Sequence, residues 1–186
     1  MIRQIIRTWL PLAVVVTALV GVSYIIAQQM LRLGGNEPQI QLAQDSATRL
    51  AAGEKPAVVA PAGTLDVGAS LAPFTIVYDD QGNILAATGQ LHGQPPSLPG
   101  GVLDYVRQNG EDRISWQPEP GTRYAAVVER VSGARPGFVL VARSLRETEK
   151  RIDVIGQLAL AGWVGTLLAS LVMVVLVEVV LGRQRK

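Results

Sequence analysis

The chain has 186 residues, of which 48% are hydrophobic, and it contains no cysteine. Seventeen basic and fifteen acidic residues give a formal net charge of +2, which is too small to indicate a nucleic-acid partner. Without cysteine a disulfide-stapled scaffold is excluded, so any folded domain must be held by its own hydrophobic core.

A long apolar run lies near each end of the chain. The first, residues 10–27, is uncharged and close to the roughly twenty residues that cross a hydrocarbon core of about 30 Å. The second, residues 158–181, is interrupted only by Glu178, which lies within about a turn of its end and can reach the headgroups. Both runs predict membrane-spanning helices.

The distribution of charge predicts the orientation of these helices. The tails, residues 1–9 and 182–186, carry five basic residues and no acidic one, whereas residues 28–157 carry twelve basic and fourteen acidic residues. The basic residues of the tails are Arg3, Arg7, Arg183, Arg185 and Lys186. Because positively charged flanks stay in the cytoplasm, we expect a two-pass protein of the cell inner (plasma) membrane, with both termini cytoplasmic and the central domain extracytoplasmic.

A cleaved signal peptide is the alternative for the first run. Its apolar core is longer than the usual range of about 7–15 residues, and the sequence SYIIAQQM offers no clear small-x-small cleavage site. The pattern therefore favours an anchor, although the sequence alone leaves cleavage of the first span open.

The next segment, residues 28–73, is predicted to be a helix followed by an irregular connection. Pro38 stands at a plausible first helical position. Apolar residues then recur at helical spacing: Ile40, Ala43, Ala47, Leu50 and Ala51. The sequence KPAVVAPAGTLDVGASLAP is rich in Pro, Gly and Ala, which predicts a partly extended linker or lid.

Residues 74–145 alternate in the manner of strands. FTIVYD and ILAATG flank the turn DQGN and predict a hairpin, and TRYAAVVERVS and GFVLVARSL predict a second one. Between them GVLDYVRQNG predicts a short helix and RISWQP a short strand. Residues 146–157 predict a helix that connects to the second span. The fold class is therefore α+β.

Three stretches resemble a known family: APFTIVYDDQGNILAATG, GVLDYVRQNGEDRISW and RYAAVVERVSGARPGFVLVARSLRETEKRID. They are similar to the extracytoplasmic PAS-like sensor domains called Cache or PDC domains, which lie between two membrane helices in bacterial sensor histidine kinases and chemoreceptors. The resemblance covers about half of the chain. It implies a PAS-like antiparallel sheet with flanking helices, bracketed by two transmembrane helices. Because GRQRK follows the second span where such receptors continue into a kinase, we expect the signal to pass to a separate partner protein.

Catalytic chemistry is weakly supported. His92 is the only histidine, and without cysteine it leaves no cluster of metal ligands. The serines lack a G-x-S-x-G setting, and Asp79 and Asp80 are better explained by the turn beside them. We therefore predict no catalytic residue, no metal and no cofactor, and an enzyme ranks third among the functions considered.

A small-molecule site is better supported. Alternation along TRYAAVVERV sets Arg123, Ala125, Val127 and Glu129 on one face and Tyr124, Ala126, Val128 and Arg130 on the other, but leaves open which face lines a cavity. The candidate ligand-binding residues are Tyr78, Trp116, Arg123, Tyr124 and Arg143. Because arginine in a partly apolar site favours a carboxylate, the expected ligand is a small carboxylate. The alternative is that the aromatic side chains are core and the arginines are solvated.

The two spans also carry small residues at i, i+4 spacing, which allows helices to approach closely. These candidates are Ala13, Thr17 and Gly21 in the first span and Ala161, Gly165 and Ala169 in the second. Glu178 either pairs with an arginine of a neighbour or reaches the headgroups on its own. A homodimer or a membrane partner would use such contacts.

Two functions therefore remain open. The first is a sensor-like module that reads an extracytoplasmic signal and relays it to a membrane or cytoplasmic signalling protein. The second is a structural or accessory subunit of a cell-envelope complex, whose PAS-like domain docks a protein. A neighbouring gene for a kinase without an input domain would favour the first function, and a neighbouring gene for an envelope machine would favour the second.

Overall fold

The computed structural model describes residues 2–34, 37–63, 65–133 and 135–184. They form two units: a helical unit from Met1–Leu31 and Lys150–Lys186, and a sheet unit from Arg32–Glu149. In chain order the elements are α1 (Ile2–Gly34), α2 (Glu37–Ala51), α3 (Pro56–Val59), β1 (Leu65–Asp66), β2 (Phe74–Asp79), β3 (Ile84–Ala87), β4 (Gly89–Gln90), α4 (Val102–Asn109), β5 (Glu111–Glu119), β6 (Thr122–Val131), β7 (Gly137–Ser144) and α5 (Arg146–Gln184).

The centre of the sheet unit is a five-stranded antiparallel sheet in the order β3-β2-β7-β6-β5. Both predicted hairpins are confirmed, since Val77 pairs with Ala86 and Val127 pairs with Val141. The last strand, β7, lies in the middle of this sheet, next to β2, which is the sheet's first strand in chain order. The α+β class is observed as predicted.

The turn of the first hairpin follows from local chemistry. Both carboxylate oxygens of Asp79 accept hydrogen bonds from Asn83, one from its backbone N–H and one from its side chain, each at 2.8 Å. Gly82 has φ of 87°, a conformation that glycine adopts without strain. Asp79 thus shapes the turn, as the sequence indicates.

Side chains alternate between the two faces of the sheet, and each face has its own hydrophobic core. On one face, Tyr124, Ala126 and Val128 pack with Phe138 and with Val106 of α4. On the other face, Val127 and Val141 pack with Ala43 of α2, while Val77, Val131 and Val139 pack with Leu50 and Val59. Helices therefore cover both faces.

Three segments differ from the sequence-based expectation. The predicted linker contains the short helix α3 and the two-residue strand β1. The strand predicted over ILAATG ends at Ala87, and β4 then leaves the main sheet to pair in parallel with β1. Gly89 permits this crossing because Val67 and Phe74 pack so closely that no Cβ would fit. The strand predicted over RISWQP is longer, Glu111–Glu119.

The helical unit consists of α1 and of α5 from Lys150 onwards. Among the described residues, two helices are long and apolar enough to cross a membrane, over Ile2–Leu31 and Arg146–Val180. Most of their large apolar side chains are exposed, as Leu19 (64%) and Leu168 (59%) show, while Val174 of α5 is buried. Apolar surface of this extent needs an apolar environment. The predicted tail residues Arg185 and Lys186 lie outside the described residues.

Candidate functional site

A cavity of about 440 Å³ lies in the sheet unit between the first hairpin, the Pro-rich loop and α4. We call it the α4 cavity. Its lining residues are Tyr78, Gln81, Gly82, Ile84, Pro96, Ser97, Leu98, Pro99, Gly100, Gly101, Leu103, Asp104 and Arg107. The lining mixes apolar side chains with the polar Gln81, Ser97, Asp104 and Arg107. The volume lies within the range of about 300–1,000 Å³ that is usual for small-molecule pockets.

Tyr78 lines the cavity and carries a buried hydroxyl. The residue ends the buried part of β2 and is only 4% exposed. Within the described part of the chain, its Oη has no hydrogen-bond partner. Burial raises the pKa of the phenol above its ordinary value, so the group stays neutral and can donate a hydrogen bond. A buried donor of this kind is ready to bind an acceptor.

Two arginines make cation–π contacts with the ring of Phe138 beside the cavity. Arg107 lies with its guanidinium carbon 5.3 Å from the ring centroid, and Arg130 lies at 4.6 Å. The register of β6 and β7 sets Arg130 opposite Phe138. Arg130 also forms an ion pair with Asp80 at 2.6 Å, and Arg107 donates to the backbone oxygen of Asp80 at 2.8 Å. These contacts fix the hairpin turn against α4.

Arg107 is the guanidinium that lines the cavity itself. It also bonds Asp104, three residues earlier on α4, whose side chain is 72% exposed. The helix begins after Gly101, which offers no side-chain cap among the described contacts, so backbone N–H groups of the first turn are open to another acceptor. Tyr78, Asp104, Arg107 and the first turn of α4 thus meet at one cavity. Chemically, this set can hold a small ligand that carries acceptor oxygens.

The structure brings together three of the five predicted ligand residues. Tyr124 contacts Trp116 and Phe74, with ring centroids 5.6 and 5.3 Å apart, and its hydroxyl donates to the backbone oxygen of Val67 at 3.0 Å. These aromatic residues belong to the same core cluster as Tyr78. Trp116 and Tyr124 are therefore core residues beneath the α4 face.

The other two predicted residues lie elsewhere. Strand alternation puts Arg123 and Arg143 on the face opposite Tyr124. Arg143 donates to the backbone oxygen of Leu71 at 3.3 Å, and Arg123 lies 3.3 Å from the carboxylate of Glu149. Neither lines the α4 cavity. A role for either arginine in ligand binding stays a prediction.

Sequence reasoning missed Arg107 and the loop from Pro96 to Gly101. A weak signal was present, since a Pro-rich loop leads directly into a helix whose Asp104 and Arg107 stand at i, i+3 spacing. Nothing in the local sequence connects this helix to Tyr78, which lies 29 positions before Arg107.

His92 lies in the loop outside the cavity. It adopts a positive φ of 53°, and its ring lies 2.7 Å from the carboxylate of Glu119. Glu119 raises the pKa of His92 by hydrogen bonding and by its charge. Among the described residues, no group of three or more His, Cys, Asp or Glu side chains is arranged to hold a metal ion.

The predicted packing residues of the spans fall into two groups. In α1, Thr17 accepts a hydrogen bond from Trp163 Nε1 at 2.9 Å, Ala13 accepts one from Thr17 at 2.7 Å, and Gly21 lines a groove beside α5. In α5, the predicted residues have different surroundings: Ala161, Gly165 and Ala169 are exposed, and Glu178 is half-buried. Their contacts with another helix stay a prediction.

No protein-family model, curated protein or solved structure matches this chain. The fold and the cavity therefore define a structural class of protein and no particular family. It is an α+β sheet unit with a cavity of small-molecule size, in a chain with two helices that are compatible with a two-pass membrane protein.

Proposed function

We propose that this chain is a membrane-anchored, extracytoplasmic sensor-like protein of the bacterial inner membrane. In this proposal its PAS-like sheet unit binds a small carboxylate in the α4 cavity and relays the bound state through the membrane helices to a signalling partner protein. One observation carries the proposal. Tyr78 lines a cavity of ligand size, and its buried hydroxyl has no hydrogen-bond partner among the described residues.

The donors at the cavity support a carboxylate as the ligand class. Tyr78 stays neutral because burial raises its pKa, and Arg107 carries a permanent positive charge. Both groups donate hydrogen bonds, and a guanidinium binds carboxylate oxygens well. The carboxylate of Asp104 now forms an ion pair with Arg107. Because the Asp104 side chain is exposed, a ligand carboxylate would replace it on Arg107 at low cost.

The arrangement of the sheet unit supports the PAS-like interpretation. The sheet is antiparallel and five-stranded, its last strand lies beside its first, and helices cover both faces. PAS-like domains tend to hold ligands between the sheet and a flanking helix or loop, and the α4 cavity has that position.

The relay is supported by the path of the chain after the sheet. The central strand β7 ends at Ser144, and α5 begins at Arg146 and continues without a break to Gln184. Arg146 donates to the backbone oxygens of Gly68 and Ala69, so the first turn of α5 is bonded to the segment that follows β1. The basic tails support the proposed topology, with the sheet unit outside.

A ligand screen tests this proposal. The full chain in mild detergent is heated with single small carboxylates and, as matched controls, with the corresponding neutral amides. A carboxylate present at about 100 times its Kd adds about 2.7 kcal/mol to the free energy of unfolding, so the unfolding temperature rises, while the amide has a smaller effect. Equal shifts for acid and amide, or no shift for any acid, would contradict the proposal.

A structural or accessory role is the second candidate. It is favoured by the exposed apolar side chains at the open edge of the sheet, where Leu85 of β3 is 53% exposed and Val58 of α3 is also 53% exposed. Such a patch suits a protein partner. A Leu85→Asp variant that loses a co-purifying envelope protein, in a chain without any ligand-induced shift, would favour this role.

A further inference from the structure

The Pro-rich loop, residues 91–100, forms one wall of the α4 cavity and begins with a two-residue turn. Leu91 and Gln94 exchange two backbone hydrogen bonds, at 2.7 and 3.2 Å. The two residues between them, His92 and Gly93, have φ of 53° and 81°. Positive φ at both central positions is the signature of a type I′ turn.

His92 is held in this turn by a contact with another part of the sheet unit. Asn, Asp and Gly are the usual residues at the first central position of a type I′ turn. Among the described residues, His92 is the only one besides glycine that has a positive φ. Its Nε2 lies 2.7 Å from Oε2 of Glu119, at the end of β5. Strained backbone persists where its surroundings hold it, and this ion pair supplies such a restraint.

The chain between the turn and the cavity is stiff. Pro95 and Pro96 follow directly after Gln94, and consecutive prolines fix φ and favour an extended segment. Pro96 is buried and lines the cavity together with Ser97 and Leu98. The turn is therefore connected to the cavity wall by a short rigid segment, and a restraint on His92 also restrains the wall.

The charges around His92 come from two other elements. Glu119 of β5 is the nearer carboxylate, and Asp66 of β1 is a second one whose charge acts on the imidazole. Arg146 of α5 donates to backbone oxygens of the segment that follows β1. The chain has one histidine, and histidine is the side chain that ordinarily changes charge between pH 5 and 8. The side chain of His92 is 77% exposed, so it exchanges protons freely with the solvent.

We infer that the ion pair between His92 and Glu119 is a pH-sensitive latch on the wall of the α4 cavity, closed when His92 is protonated and loosened when it is neutral. The effect on ligand binding rests on the proposed function: the protein would bind its carboxylate more tightly in acidic surroundings. Loss of the proton leaves at most a neutral hydrogen bond, which is about half as strong as a charge-assisted one.

The direction of the pH dependence follows from the carboxylate beside the imidazole. Glu119, by its hydrogen bond and its charge, raises the pKa of His92 above the ordinary 6.5. The ion pair therefore contributes fully below pH 6.5, and its contribution is lost as the pH rises through the raised pKa. Proton NMR of the full chain in mild detergent measures this pKa on the single histidine. We expect a value above 6.5 in the wild type and a value close to 6.5 in Glu119→Gln.

A nitroxide label on the cavity wall tests the latch itself. The chain has no cysteine, so the exposed Ser97 can be labelled as Ser97→Cys, with Thr48→Cys on the exposed side of α2 as the control label. Paramagnetic resonance of the full chain should show the Ser97 label becoming more mobile from pH 5 to 8, with a midpoint at the pKa of His92. The same label should lose this transition in Glu119→Gln and in His92→Asn, because asparagine suits the turn and carries no charge. The Thr48 label should not respond.

Two results would overturn the inference: a mobility at Ser97 that is constant from pH 5 to 8, or an equal transition in Glu119→Gln. Binding gives a further measurement with the acid selected in the ligand screen. Its Kd should rise about two- to fivefold between pH 6 and 8 in the wild type, the range expected for one exposed ion pair, and stay constant in His92→Asn. If the Ser97 label responds but no acid binds, the proposed function fails and the latch stands. If an acid binds while the label does not respond, the latch alone fails.

Discussion

At the scale of single residues, two tyrosines on the same face of the sheet have opposite hydrogen-bonding states. The hydroxyl of Tyr124 donates to Val67 at 3.0 Å, whereas that of Tyr78 is buried with no acceptor among the described residues. A buried donor without a partner lowers the free energy of unfolding by about 1–3 kcal/mol. The two residues should therefore respond oppositely to loss of the hydroxyl.

We expect Tyr78→Phe to raise the free energy of unfolding of the ligand-free protein by about 1 kcal/mol, because it removes the unpaired group. Tyr124→Phe, the matched comparison, should lower it by about 1 kcal/mol, because the Val67 oxygen loses its donor. Urea unfolding of the full chain in mild detergent measures both. A loss of stability in Tyr78→Phe similar to that in Tyr124→Phe would mean that the Tyr78 hydroxyl is bonded in solution.

A carboxylate pair on the opposite face gives a pH-dependent prediction. Glu129 of β6 pairs in register with Glu111 of β5. Burial, and then the charge of Glu111, raises the pKa of Glu129 above 4.5, while the hydrogen bond from Arg113 lowers the pKa of Glu111. A raised carboxyl pKa means that the folded state favours the protonated form. Ionised Glu129 therefore opposes folding at neutral pH.

Glu129→Gln should accordingly raise the unfolding temperature at pH 7, and the gain should shrink as the pH falls towards 4.5. Glu54→Gln is the control of opposite sign, since the hydrogen bond from Arg49 lowers the pKa of Glu54 and its loss removes a favourable interaction at pH 7. Thermal unfolding across this pH range measures both variants. An increase that is independent of pH would show that charge at Glu129 is not the cause.

At the scale of elements, the start of α5 and the segment after β1 are held to each other by side chains. Arg146 donates to the oxygens of Gly68 and Ala69, and Arg143 donates to Leu71. On the core side the same segment receives the hydroxyl of Tyr124 at Val67. This segment therefore links the core of the α4 face to the first turn of α5.

Arg146→Ala should increase amide hydrogen exchange in residues 66–71, because two of the carbonyl contacts that restrain this segment are lost. Arg123→Ala is the control, since its exposed ion pair with Glu149 involves no atom of that segment. Hydrogen-exchange mass spectrometry of the full chain compares the two. Unchanged hydrogen exchange in Arg146→Ala would contradict the proposed link between the segment after β1 and the first turn of α5.

Elements with local signals could be predicted from the sequence. The two hairpins follow from alternation and from turn residues such as Asp79 and Gly82, which act within a few positions. The crossing of β4 could not be predicted, because it depends on how closely Val67 and Phe74 approach Gly89. These three residues meet only in the folded chain.

The candidate site was predictable to a similar degree. Tyr78 could be predicted because it is an aromatic residue on a buried strand, whereas Arg107 could not be predicted. Arg107 reaches the site through Asp80 and Phe138, which come from two other elements. Arg123 and Arg143 were plausible by residue type, yet residue type carries no information on which face of the sheet a side chain takes. Proximity of this kind is set by tertiary packing.

At the scale of the whole molecule, topology is the property on which the proposed function depends. The chain has no cysteine, so single cysteines can be introduced without a background. In spheroplasts of a bacterial host, a membrane-impermeant maleimide should label Gln94→Cys, in the sheet unit, and should label Gln4→Cys only after lysis. The reverse pattern would invert the topology and place the α4 cavity in the cytoplasm.

Binding of a carboxylate by the wild type and two tyrosine variants tests the central claim most directly. Isothermal titration of the full chain with the acid selected in the ligand screen gives the Kd for each protein. Tyr78→Phe should bind about tenfold more weakly, the loss of roughly one hydrogen bond to a charged group. Tyr105→Phe, on the exposed side of α4, should bind as the wild type does. Equal affinity of the wild type and Tyr78→Phe would contradict the assignment of the α4 cavity as the sensor site.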